Sequence, residues 1–148
     1  MNVYSPVLSV GQLRMLEIAD KIEKLDYPYF NLATWYDPSC GTPSCIAGHA
    51  IWEKYAQQGY SEKACAAKLV NAMHASEAAE YFEIDADTAR DLFTPLQSDL
   101  FPDGSADDLE ILFVDDRARV LVTGKWAAAV LRHLVKTGEV NWQIGRDQ

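Results

Sequence analysis

Apolar residues recur three and four positions apart in several separate stretches of this chain, the spacing that gives a helix one apolar face. In residues 10–25 the recurring positions are Leu13, Leu16, Ile18, Ala19, Ile22 and Leu25. Ser9 and Gln12 stand in front of them with the spacing of a capping box, a side chain and a backbone amide satisfying each other in both directions. Asp26-Tyr27-Pro28 closes the pattern, because the residue before a proline is pushed out of helical geometry. Residues 27–39 carry Tyr27, Tyr29, Phe30, Trp35 and Tyr36 and read as an aromatic connector packed on the core.

Thr42-Pro43 predicts the next helix, with Thr42 as N-cap and Pro43 in the first turn, running to about Gln57 before Gly59. Ser61 caps a third helix with Leu69, Val70 and Met73 facing inward. A break near His74–Ser76 leads to a short helix ending at Phe82. Asp85 starts another, with Ala89, Leu92 and Phe93 on its apolar side and Thr94-Pro95 as its stop. Residues 96–112 are the least regular stretch, with a turn over 101–108. Val120, Leu121 and Val122 fit a short strand or a helix end equally well. Thr123 then caps a long helix with Trp126, Val130, Leu131, Leu134 and Val135 on its apolar side, closed by Gly138. The expected fold is a compact all-α single domain over residues 1–148, with about six helices and an irregular or extended segment near 118–122.

Composition narrows the function. Twenty-two acidic residues against 13 basic ones leave a net charge of −9, which repels phosphates and anionic lipid surfaces alike. Neither a nucleic-acid nor a membrane partner is expected. The N-terminal residues lack a basic stretch followed by an apolar one, and no apolar run approaches the roughly 20 residues needed to span a bilayer, so the expected location is the cytoplasm. Three cysteines in such a setting do not suggest a disulfide framework. Cys65, in an alanine-rich run, reads as a small buried apolar residue.

Chemistry, if present, concentrates between Cys40 and Glu53. Cys45 falls near a helix start, where free amides favour a thiolate, and His49 and Glu53 follow at four-residue intervals on the same face. A thiol, an imidazole and a carboxylate in that order are the parts of a cysteine nucleophile. Side chains stacked on one helix point outward side by side, however. The same run reads as packing, with Cys45, Ala47, Gly48 and Ala50 small so that a neighbour can come close. Cys40, Cys45 and His49 are the candidate metal ligands, with His74, Cys65 or Asp37 as a fourth, although zinc sites usually show tighter cysteine spacing. A reversible Cys40–Cys45 disulfide is a further alternative.

Other patterns fall short of their chemistry. Residues 77–92 have the outline of a helix-turn-helix, but Asp85, Asp87 and Asp91 outnumber Arg90 where a reading helix needs basic or polar side chains. Asp103, Ser105, Asp107, Asp108 and Glu110 hint at a calcium loop without the required glycine and glutamate offsets. His74 and His133 stand alone.

The segment Cys40-Gly41-Thr42-Pro43-Ser44-Cys45-Ile46-Ala47-Gly48, preceded by Phe30-Asn31-Leu32-Ala33-Thr34-Trp35, resembles an uncharacterised family of small bacterial and phage proteins. The paired short helices around Phe82–Phe93 and the closing Thr137–Trp142 are similar as well. The resemblance implies no activity. Members of that family usually carry Trp where this chain has His49, which implies a packing role for the position. The expected function is therefore non-enzymatic: binding another protein, or self-association, through an exposed patch involving Tyr27, Tyr29, Trp126 or Trp142, without a cofactor. The alternative is a thiol enzyme, redox or metal site built on Cys45 with Cys40 and His49.

Overall fold

The computed structural model describes residues 7–37, 41–71, 74–102 and 115–146, excluding the side chains of 74 and 115–117. Among these residues eight helices and one two-residue hairpin form an all-α fold: α1 (Val10–Ile22), β1 (Tyr36–Asp37), β2 (Thr42–Pro43), α2 (Ile46–Gln57), α3 (Glu62–Asn71), α4 (His74–Phe82), α5 (Ala86–Phe93), α6 (Gln97–Leu100), α7 (Asp115–Val120) and α8 (Gly124–Thr137). No described helix is long and apolar enough to cross a membrane.

Local capping determines most helix starts. Ser9 Oγ accepts from Gln12 N at 3.1 Å while Ser9 N donates to Gln12 Oε1 at 2.8 Å, completing the box in front of α1. The side chains of Ser61, Asp85 and Thr123 each accept from an amide three residues on, capping α3, α5 and α8. Gly138 ends α8 with φ +81°, a left-handed turn that glycine adopts without strain.

The core is built on the pairing of α1 with α8. Ile18, Ala19 and Ile22 are buried on α1, as are Ala127, Val130 and Leu131 on α8. A side chain at Gly124 would collide with the Ile22 carbonyl, so α8 begins in backbone contact with the end of α1. Arg132 ties the same pair at the surface, donating to Glu23 at 2.7 Å and Asp20 at 2.8 Å. α2 packs against α4 and α3, and the connector seals one side of α2 through buried Phe30 and Leu32.

Three local expectations change. Leu13 and Val70 are exposed, because the inward faces of α1 and α3 are set by Met15, Ile18, Ala19 and Ile22 and by Cys65 and Leu69. Residues 118–120 are helical, ending α7; Leu121 is a turn and Val122 is buried. Two helices beyond the expected six are short ones, α6 and α7, in the region that lacked clear periodicity. Met73 and residues 103–114, including the acidic turn read as a calcium loop, lie outside the described residues.

Candidate functional site

The Cys-Gly-Thr motif is a junction between the connector and α2. Thr42-Pro43 does not start the helix. Instead these two residues pair with Tyr36-Asp37 as antiparallel strands, with Tyr36 opposite Pro43 and Asp37 opposite Thr42. Proline's φ suits an extended residue as well as a first helical turn, and its missing N–H costs nothing in this two-stranded hairpin. Gly41 takes φ +68° in the turn, and its N–H donates to the Asp37 carbonyl at 2.9 Å.

The helix begins three residues later, with Cys45 as N-cap. Its Sγ accepts from Gly48 N at 3.2 Å. The neighbouring backbone is knitted to the connector: Ser44 N donates to Trp35 O at 3.1 Å and Asn31 N donates to Ser44 O at 2.9 Å. A side chain at Gly48 would collide with the same Trp35 carbonyl. Gly48, at least, is small where the connector's backbone comes closest.

The three residues with nucleophile spacing make separate contacts. Cys45 is 2% exposed, and burial pushes its thiol up to about 12, outweighing the lowering by the amides of Gly48, Ala47 and its own backbone. His49 is 3% exposed, lies parallel to the Phe30 ring at 6.4 Å, and has Nε2 3.1 Å from Tyr29 O. That carbonyl can only accept, so Nε2 carries the proton and the neutral ring leaves Nδ1 as an acceptor. Burial first, then the Lys21 charge, moves His49 down to about 3, against the smaller raising effect of the Tyr29 carbonyl. Glu53 pairs with Lys21 at 3.6 Å and accepts from Gln57 at 3.4 Å. The thiol holds its proton and the imidazole does not take one up, the reverse of what an activated thiolate needs. Thr42 Oγ1, Ser44 Oγ and His49 Nδ1 are buried without a hydrogen-bond partner among the described residues.

The metal ligand set is not assembled among the described residues, where no three His, Cys, Asp or Glu side chains stand close enough to share an ion. Cys40 lies outside the described residues, so neither its place in such a set nor a Cys40–Cys45 disulfide is described; the side chain of His74 is outside them too. Cys65 is buried on α3 with its thiol toward the Tyr60 carbonyl at 3.7 Å, and burial raises it as well.

The expected surface patch divides. Tyr27 and Tyr29 are 66% and 50% exposed. Trp126 and Trp142 belong to the core: Trp126 Nε1 donates to Trp142 O at 2.9 Å, Trp142 Nε1 donates to Asp91 O at 2.8 Å, and the rings meet edge to face at 6.1 Å. Their indole N–H groups find carbonyl partners inside the fold, which no local pattern announces. Beside Tyr29 lies a cavity of about 230 Å³, lined also by Leu25, Pro43 and Trp52.

A larger groove of about 520 Å³ runs between α4 and α5, the two helices with helix-turn-helix outline. Ala79, Ile84 and Ala89 lie along it, with Ala75 and Ala86 toward its outside and Glu80 and Arg90 also lining it. The spacings 75/79 and 86/89, one turn apart on successive helices, are visible in the sequence once the two helices are known to face each other. Comparison with known protein families, with curated proteins and with solved structures finds no match for this chain.

Proposed function

We propose that this chain is a non-enzymatic protein-binding module acting in the cytoplasm, with the connector tyrosines as a contact surface. The observation that carries the reading is the split between neighbours in sequence: Phe30 and Leu32 are buried while Tyr27 and Tyr29 stand in solvent. Anchored from below, the two rings offer apolar area and a hydroxyl tip with few side-chain rotamers to lose on binding, which is why tyrosine is enriched at protein interfaces. The net charge of −9 supports a protein partner over nucleic acid or an anionic membrane.

The thiol alternative has less support, since Cys45 spends its sulfur on capping α2 and is shielded from solvent. In this reading the Cys40–Gly48 motif is architecture, as its resemblance to the small bacterial and phage proteins implies. His49 fits that role: it serves as a ring N–H donor to a carbonyl with its second nitrogen idle, a task an indole can also perform. The test is affinity capture with wild type and a Tyr27→Ser/Tyr29→Ser variant whose circular dichroism is unchanged. A specific partner lost in the variant is expected; a monomer that captures nothing, or a partner indifferent to both tyrosines, overturns the assignment.

A further inference from the structure

We infer that the cavity beside Tyr29 is a binding site for a small uncharged molecule, a single ring carrying an N–H or O–H donor next to an acceptor. The assignment is independent of the connector surface, since a protein seated on Tyr27 and Tyr29 needs no small molecule, nor the reverse.

The cavity brings apolar walls together with two polar side chains that the fold leaves unused. Leu25, Pro43, Trp52 and the Tyr29 ring supply the walls, and His49 and Thr42 line it as well. His49 Nε2 commits its proton to the Tyr29 carbonyl at 3.1 Å, so Nδ1 keeps a lone pair that can only accept. Nδ1 and Thr42 Oγ1 are both buried without a hydrogen-bond partner among the described residues, so neither satisfies the other. Buried polar atoms without partners are uncommon in folded proteins, and two on one cavity point to a ligand that completes them. The imidazole, 3% exposed, is parallel to the Phe30 ring and anchored at Nε2, which fixes where a donor must come. Thr42 is half-buried, and its hydroxyl turns about χ1 to meet an acceptor.

Size and charge select the occupant. A dry cavity of roughly 150 Å³ holds benzene, so the volume of about 230 Å³ here takes one ring with a short substituent. Burial holds the imidazole neutral, which keeps Nδ1 an acceptor at neutral pH. A carboxylate, itself only an acceptor, would set lone pair against lone pair. Lys21 lines the cavity but already pairs with Glu53 at 3.6 Å, and Glu62 lines it too. An ammonium would in turn face Lys21. With one Lys and one Glu along it, the cavity has no net charge to offset the desolvation of an ion. A carboxamide, lactam or phenol meets both orphaned atoms, its N–H or O–H on Nδ1 and its oxygen toward the Thr42 hydroxyl.

The test uses the full chain, isotopically labelled and followed by NMR, with benzamide, toluene, benzoate and benzylamine as probes. Benzamide should bind saturably, shift the amides of Thr42 and His49 and the Trp52 indole N–H, and move the Nδ1 resonance as it accepts a hydrogen bond. Toluene, the same ring without the donor, should bind about tenfold more weakly and leave Nδ1 unmoved. Both ions should bind more weakly than benzamide. Thr42→Val keeps the shape without the hydroxyl; it should weaken benzamide about fivefold and leave toluene unchanged. Tyr27 does not line the cavity. Tyr27→Ser should therefore leave benzamide binding intact even where it abolishes protein capture, so the two assignments fail separately. No saturable binding of benzamide, equal binding of toluene, tighter binding of either ion, an unmoved Nδ1 resonance, or indifference to Thr42→Val overturns the inference.

Discussion

The carboxylate of Glu83 accepts from the backbone N–H of Gly11 at 3.0 Å, joining the turn after α4 to the first turn of α1 across 72 residues of sequence. Glu83 is also the one non-glycine residue with positive φ among those described, at +58°. Glycine would suit that backbone better, and the side chain's contact with α1 explains why glutamate is there instead. We expect Glu83→Ala to cost about 1 kcal/mol, a lost cap with the backbone strain retained. Glu83→Gly should fall closer to wild type, because relief of strain offsets the lost cap. Urea unfolding of the two variants reads the difference; equal losses would mean that the Gly11 contact and the backbone conformation contribute independently of this account.

Gly11 and Gly48 meet backbone carbonyls, of Phe82 and Trp35 respectively, that cannot swing away as a side chain can. Alanine in a helix is ordinarily better than glycine by about 1 kcal/mol. Here the sign reverses: Gly11→Ala and Gly48→Ala should each destabilise by about 1–3 kcal/mol through forced backbone shifts. Thermal or denaturant unfolding checks this, and stabilisation by either substitution would show that the close approach is absent in solution.

Acid should destabilise the protein through His49. Its value falls from 6.5 to about 3 on folding, so between those pH values the unfolded chain binds more protons than the folded one. The stability held above pH 6.5 is therefore lost as pH falls, reaching about 2 kcal/mol at pH 5 and levelling off below the folded value. His49→Gln keeps an N–H donor but cannot titrate. Its unfolding free energy should vary less between pH 7 and pH 5 than that of wild type by about the same 2 kcal/mol. Identical pH profiles would place a charged or solvent-reached imidazole at this position.

Native Cys45 should resist alkylation across the neutral range, since burial both blocks access and raises the thiol to about 12. Reaction is expected to follow global unfolding, accelerating in denaturant in step with loss of helix. Cys45→Ser retains a cap acceptor and should stay within about 1 kcal/mol of wild type, whereas Cys45→Ala loses it. Rapid native alkylation assigned to Cys45 at pH 7 would return thiol chemistry to the front.

Much of the secondary structure is legible in the linear chain because capping acts over three or four residues. Ser9, Ser61, Asp85, Thr123 and Gly138 each satisfy a backbone group or a φ angle within one turn, so their positions carry the information on their own. The same logic fails at Thr42-Pro43. A strand and a helix start make equal local use of that pair, and pairing with Tyr36-Asp37 decided between them. The candidate site was legible as a run of residue types whose chemistry depends on long-range contacts. Spacing put Cys45, His49 and Glu53 on one helix; the partners Gly48, the Tyr29 carbonyl and Lys21 determined that they do not work together. Trp126 and Trp142 show the same division: periodicity set Trp126 on the apolar side of α8, but only the meeting of the C-terminal segment with α8 and α5 buried Trp142 and gave both indole N–H groups their carbonyl partners. Periodicity and caps are properties of a few consecutive residues, whereas burial, and with it proton affinity, belongs to whatever the fold brings alongside.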